Sequence, residues 1–360
     1  MELGQITEAK RYSYINARIK ARKGQLLTAA DYERLLSSSL KEGLTYLQGT
    51  PRYQESFSPL DPNSKNFIDE LEQHLYENVY NEVFKLTKDI PEKARDLIEF
   101  YLKKSYLNAL IRIIRLIHNK KITSTSLEEF YAVTSEEKVE LTIISKVESI
   151  EELIQSLQTS WVIEALKSVI VEYQEQKDVL LLEKALNHYY YNHLWETIIP
   201  HQNKRDLVIA QKIIGMEIDL NNINTILRSK LLNIPPDEIF TQVIPINYRL
   251  GSNLTKAVKA VSFSDAIDSL NTTIYSDLIQ SIFRDYKEKE KSIIKLEQLQ
   301  QEWYIQALFD MLAGYPFHIG IFLAYIIFRL QETENLRIIF ETKWKGIDLK
   351  FARELLIYFK

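Results

Sequence analysis

Three stretches of this chain repeat one pattern at a near-constant spacing, and the repeat limits the fold more than any other feature. Residues 39–50 read SLKEGLTYLQGT, 149–160 read SIEELIQSLQTS and 262–273 read SFSDAIDSLNTT. Each stretch has a Ser, an acid three places on, an aliphatic two later, a Leu three after that, and Ser or Thr at the end. The residues are Ser39, Glu42, Leu44, Leu47 and Thr50, then Ser149, Glu152, Ile154, Leu157 and Ser160, then Ser262, Asp265, Ile267, Leu270 and Thr273. Ser–x–x–Glu/Asp ahead of an apolar run is a helix-capping signature, in which hydroxyl and carboxylate satisfy free N–H groups of the first turn. The aliphatics that follow then share one face.

A second landmark keeps the same period. Asn is a poor helix former, yet it recurs inside three apolar helical segments, SYLNALIRIIRLIHNKK, DLNNINTILRSK and ETENLRIIFETK, at Asn108, Asn222 and Asn335. Each stands three places after Ser105, Asp219 or Glu332. The Asn separations are 114 and 113 residues, and those of Leu47, Leu157 and Leu270 are 110 and 113. Acids ahead of the Asn and basic residues after it (Arg228, Lys230, Lys343) suit a helix with an acidic first turn and a basic end. The first unit departs, with Ile114 and Leu116 at those later places. A buried amide bridging two helices is the expected role of each Asn; the other reading is a surface used by a partner.

Composition supports helices. Glycine numbers 9, where average usage would give roughly 25, and proline is also 9, so tight turns are scarce. KITSTSLEEF (121–130) and NIPPDEIF (233–240) break the helical pattern, the second through its proline pair. The expected organisation is three similar all-α domains at 1–123, 124–236 and 237–360, with a closing helix in KGIDLKFARELLIYF and an arrangement about a pseudo-threefold axis. A period this long exceeds that of solenoid repeats.

Charge and motifs narrow the function. The net charge of −4 gives nucleic-acid binding no support. The chain has no cysteine, which removes disulfides and thiolate metal sites and suits the cytoplasm. The most apolar run, PFHIGIFLAYIIF (316–328), is too short to cross a bilayer and reads as a buried helix. No phosphate loop, dinucleotide fingerprint or HExxH occurs. His188 and His193 lie five apart and face differently, and the Tyr189–Tyr191 run reads as packing. No nucleophile and base, cofactor motif or metal set is expected. One charged stretch stands out: KRYSYINARIKARK (10–23) has six basic residues, Lys10, Arg11, Arg18, Lys20, Arg22 and Lys23, and no acid. It is either the solvated face of a docked first helix or a contact for an acidic partner or anionic membrane, with Arg18, Arg22 and Lys23 as candidate contact residues.

YSYINARIKARKGQLL (12–27) resembles the opening signature of the C-subunit family of V/A-type ATPases, the counterpart of the d subunit in the eukaryotic V-ATPase. Tyr12, Tyr14, Asn16, Ala17, Arg18, Ile19, Lys20, Leu26 and Leu27 carry the match. The acid–x–x–Asn–aliphatic helices resemble that family's repeated element. The resemblance implies a funnel-shaped, non-catalytic central-stalk subunit without cofactors, at the cytoplasmic face of the membrane. Its implied partners are the D and F shaft subunits at one end and the membrane rotor ring of proteolipid subunits at the other. A cytoplasmic helical scaffold outside any rotary motor is the alternative.

Overall fold

The computed structural model describes residues 2–119, 135–144, 146–285, 289–312 and 316–359. Every regular element among them is helical. The opening third holds α1 (Glu2–Lys23), α2 (Ala29–Ser37), α3 (Leu40–Gln48), α4 (Gln54–Phe57), α5 (Phe67–Thr87) and α6 (Glu92–His118). Next come α7 (Ser135–Ile144), α8 (Ile150–Ser156), α9 (Ser160–Lys167), α10 (Ile170–Gln176) and α11 (Val179–His193). After a π turn and a short 3₁₀ turn follow α12 (Lys204–Leu231), α13 (Pro236–Gln242), α14 (Ser252–Lys259) and α15 (Phe263–Leu270). The chain ends through α16 (Ser276–Asp285), α17 (Lys289–Leu312), α18 (Gly320–Trp344) and α19 (Leu349–Leu355).

The helices group into two compact bodies, Met1–Tyr189 with Ile321–Lys360, and Tyr190–Gly320. This is a division by packing, whereas 1–123, 124–236 and 237–360 divide the chain by repeat, and the two sets of boundaries differ.

The three Ser landmarks each start a short helix. Ser39 caps α3 by accepting from the Glu42 N–H at 3.3 Å, while Glu42 accepts from the Ser39 N–H at 2.8 Å. Ser262 and Asp265 make the same reciprocal pair on α15, at 3.1 and 3.0 Å. On α8 the box is half made: Ser149 accepts from Glu152, but the Glu152 carboxylate turns to the Glu148 N–H. Leu47, Leu157 and Leu270 are all buried. Thr50 and Thr273 then close their turns, each hydroxyl donating to the Leu carbonyl three residues back at 2.7 Å.

The long helices α6, α12 and α18 carry the three Asn landmarks. Asn222 and Asn335 are fully buried. Asn108 is exposed on α6, so the expected buried amide does not form there. Asp219 and Glu332 lie in the middle of α12 and α18, not in an acidic first turn. Both are buried and hold other segments in place, so tertiary packing rather than the helix dipole explains them. The basic ends do appear: Arg228 and Lys230 in the last turn of α12, and Lys343 in that of α18. α6 instead joins α11 through Arg115, whose guanidinium grips the Glu183 carboxylate with two bonds of 2.6 Å.

A further equivalence appears after the long helices. α12 ends in a left-handed residue, Asn233, with the Ile234 N–H reaching back to the Ser229 carbonyl at 2.9 Å. α18 ends in left-handed Gly346, with the Ile347 N–H reaching the Thr342 carbonyl at 2.9 Å. This is the paired-bond stop favoured by Gly and Asn. Each stop leads into a seven-residue helix, α13 or α19. The closing helix is therefore the counterpart of α13.

Packing follows the sequence pattern. In the first body Leu35, Leu44, Leu47, Phe57 and Leu71 share one core with Leu336, Ile339 and Phe340. Of the apolar run at 316–328, residues 320–328 form the buried opening turns of α18 and 316–319 lead into it. No helix among the described residues is long and apolar enough to cross a membrane.

Candidate functional site

The most elaborate chemistry in the molecule is a clamp built on each of two long helices. On α12, Asn222 accepts from the Ile244 N–H at 2.8 Å and donates to the Ile244 carbonyl at 3.0 Å. On α18, Asn335 accepts from the Ile357 N–H at 3.1 Å and donates to its carbonyl at 2.7 Å. A primary amide matches the donor–acceptor pattern of one residue of non-helical backbone, so each Asn pins the segment leaving α13 or α19.

One turn earlier, the carboxylates hold a different segment. Asp219 accepts from the Tyr248 and Arg249 N–H groups at 3.3 and 2.7 Å and from the Tyr275 hydroxyl at 2.9 Å. Glu332 accepts from the Leu27 N–H at 2.6 Å and the Tyr53 hydroxyl at 2.5 Å. Two turns later the lysines complete the grip. Lys230 donates to the Ala260 carbonyl at 2.7 Å, and Lys343 to the Leu36 carbonyl at 3.0 Å and to the Ser38 carbonyl. In the second body α12–α13 thus holds α14–α15, from one continuous stretch of chain. In the first body α18–α19 holds α2–α3, from opposite ends of the sequence.

The two clamps differ in charge. Burial pushes the Asp219 carboxyl up to about 6, against the opposing pull of its hydrogen bonds from Arg249, Tyr275 and Tyr248. Glu332 has cations instead. Arg52 Nη1 lies 3.1 Å from its Oε1, and the buried Arg329 guanidinium bonds the same oxygen. Arg329 reaches on to Glu82 at 3.1 Å, Asn78 at 2.6 Å and the Tyr53 hydroxyl at 3.0 Å. Tyr325 donates to Glu82 at 2.8 Å. A polar cavity of about 400 Å³ opens beside this network, lined by Arg22, Arg52, Asn78, Asn81, Glu82 and Lys85.

The basic candidates lie at the edge of the same network. α1 buries Tyr12, Ile15, Asn16 and Ile19. Arg18 forms an ion pair with Asp89, and Arg22 Nε lies 3.0 Å from Glu82. The Lys23 ammonium stands 5.9 Å from the Phe328 ring centre, and burial lowers its pKa. The stretch holds no acid of its own, but α5 and the turn after it supply two. Lys20 faces solvent, and the side chains of Lys10 and Arg11 lie outside the described set. The tyrosine run packs as expected: Tyr189 stacks on Trp161 with ring centres 5.9 Å apart, and Tyr191 donates to Glu217 at 2.8 Å.

Sequence reasoning singled out Asn222 and Asn335 but missed Arg52, Glu82 and Arg329. The signal available was weak: an Arg directly after the apolar run 319–328 and three places before Glu332. No cluster of three or more metal-binding side chains occurs among the described residues.

Comparison with known proteins agrees with the family resemblance carried by residues 12–27. The C subunit of the A-type ATP synthase of Methanocaldococcus jannaschii is 24% identical over 353 residues, covering 96% of this chain and 86% of that protein. Its counterpart in Methanococcoides burtonii is 26% identical over 359 residues, covering 99% of this chain and 96% of that protein. That of Archaeoglobus fulgidus is 26% identical over 338 residues and covers 93% of both. Residues 15–355, which hold the basic end of α1 and the side chains of both clamps, match the ATP synthase (C/AC39) subunit family, and the chain belongs to that family.

Proposed function

We propose that this chain is the non-catalytic central-stalk subunit of a proton- or sodium-translocating rotary ATPase. It joins the D and F shaft subunits to the membrane rotor ring at the cytoplasmic face and passes torque between the ATP-hydrolysing head and the ring. Its three repeats stand about a pseudo-threefold axis as a funnel, with domains at 1–123, 124–236 and 237–360. The observation that carries the reading is the clamp made twice. Asp219, Asn222 and Lys230, and Glu332, Asn335 and Lys343, tie neighbouring helices together by side-chain bonds to backbone. An element that transmits torque needs internal links that do not slide, and such bonds fix register.

Reconstitution tests the proposal. Head, shaft and ring combined without this chain should hydrolyse ATP without moving ions, and adding the chain should restore pumping. Pumping without the chain would overturn the linking role. Tethering the chain covalently to the shaft should leave ATP-driven pumping intact, whereas a block on tethering would make it a stationary part.

Arg18, Arg22 and Lys23 contribute to one of these interfaces with the portion of their side chains that remains accessible. Arg18 separates that role from its internal pair with Asp89. Arg18→Glu should weaken assembly, and the added change Asp89→Lys should restore the internal pair without restoring assembly. Full recovery in the double variant would limit Arg18 to the fold of its own body.

A further inference from the structure

Between the end of α12 and the start of α15 the second body opens a groove of about 530 Å³. One wall runs from Leu231, the last residue of α12, through Ile234 to Pro236, the first of α13; the other runs from Lys259, the last of α14, through Val261 to Phe263, the first of α15. The proline pair at 235–236 fixes backbone dihedrals, so this wall is formed before anything binds.

Val261 is 98% exposed. It stands immediately before the capping Ser262, a position whose apolar side chain ordinarily folds over the fourth residue of the helix. That residue, Ala266, is buried beneath other groups, and Val261 turns away from it. The corresponding positions before the other two capped helices are Ser38 and Glu148, so only the third repeat places an aliphatic there. Leu232, next in the chain to Leu231, is 71% exposed. Neither residue serves the core.

The groove also has a charge character. Its walls include Lys230 and Lys259 and no carboxylate. Lys230 is committed to the Ala260 carbonyl, while Lys259 is exposed and makes no ion pair among the described residues. Asp265 is occupied in capping, and Asp237 and Glu238 stand outside the walls on α13. A single available cation suits one carboxylate rather than an anionic membrane, which calls for a cluster of cations.

We propose that this groove receives a segment of a neighbouring subunit of the rotary complex, which sets an aliphatic side chain against Val261, Ile234 and Leu231 and a carboxylate against Lys259. The inference rests on the reading of the chain as a stalk subunit and adds the place and chemistry of one contact.

The assembled complex provides the test. Replacing Val261 with the photoreactive residue p-benzoylphenylalanine should yield one dominant cross-link, to a peptide of another subunit with a carboxylate within about one helical turn. A lipid adduct, or no protein adduct, overturns the proposal. Val261→Asp and Lys259→Glu should each weaken entry into the complex at least tenfold with unchanged circular dichroism. The Lys259→Glu loss should shrink as salt rises, while the Val261→Asp loss persists. Val261→Ile should assemble normally. Equal assembly of wild type and both charged variants overturns the groove and leaves the stalk reading intact. A wild-type chain that enters no rotary complex overturns both.

Discussion

Asn222 and Asn335 make the same two-way bond to backbone at the same distance along the chain: each pairs with an isoleucine 22 residues downstream. Asn108, the third member of the series, is exposed instead. The pairing therefore separates residues that share a sequence pattern but not an environment.

Alanine substitution should resolve that difference. Asn222→Ala and Asn335→Ala each leave an isoleucine N–H and carbonyl buried without partners, which costs about 1–3 kcal/mol. Asn108→Ala should fall within about 0.5 kcal/mol of wild type, as surface changes usually do. Urea denaturation of the three variants measures this; equal losses at all three positions would refute it.

The paired charges around Glu332 should be less forgiving. Glu332→Gln leaves Arg329 and Arg52 with half their negative charge and puts an amide donor where the Leu27 N–H needs an acceptor. Breaking a buried pair in this way costs about 3–5 kcal/mol. A double change of Arg329→Met with Glu332→Gln should recover part of the loss, since the stranded charge goes too. Thermal melts of both variants decide the point.

Asp219 predicts a pH slope. Its folded-state pKa of about 6 lies above the ordinary value of 3.8. The folded chain therefore keeps this proton where the unfolded chain has lost it. Its contribution favours the fold most at about pH 4 and below, declines as pH rises, and levels off above about pH 7. The displacement corresponds to roughly 3 kcal/mol. The stability difference between wild type and Asp219→Asn should follow that slope, and a flat difference from pH 4 to 7 would exclude it.

Gly215 lies one turn before Asp219, and a methyl group there would run into the Tyr248 ring. Gly215→Ala gains about 1 kcal/mol of helix propensity, but overpacking costs about 1–3 kcal/mol. A net loss in melting temperature is expected. Tyr248→Ala in the same background should remove the clash and convert the alanine into a gain.

The sequence made local devices legible. Capped helix starts and a regular spacing depend on residues a few places apart, so Ser39, Ser149 and Ser262 could be read directly. The roles of Asp219 and Glu332 could not, because position within a long helix hides whether an acid meets solvent or another segment's backbone. The charge network was invisible for a different reason: Arg52 and Arg329 meet Glu332 and Glu82 across separations of 280 and 247 residues. The basic run near the N-terminus looked unopposed for the same cause, since its acids come from α5 and the turn after it. The family resemblance reached the right family through residues of α1 and the turn after it, of which Tyr12, Asn16, Ile19 and Leu27 are buried while Tyr14, Ala17 and Lys20 face solvent.

The core that joins residues 27–75 to Leu336, Ile339 and Phe340 has a consequence for synthesis. A ribosome adding about 5–20 residues per second needs roughly 15–50 seconds to travel from the first part of that core to the second. Through that interval Leu44, Leu47 and Phe57 lack their cover, and the Leu27 N–H lacks its carboxylate. That core is thus completed only when α18 arrives, after the chain that forms α12–α15 has already emerged whole. A nascent chain stalled before α18 presents an open apolar face, the state that holding chaperones bind.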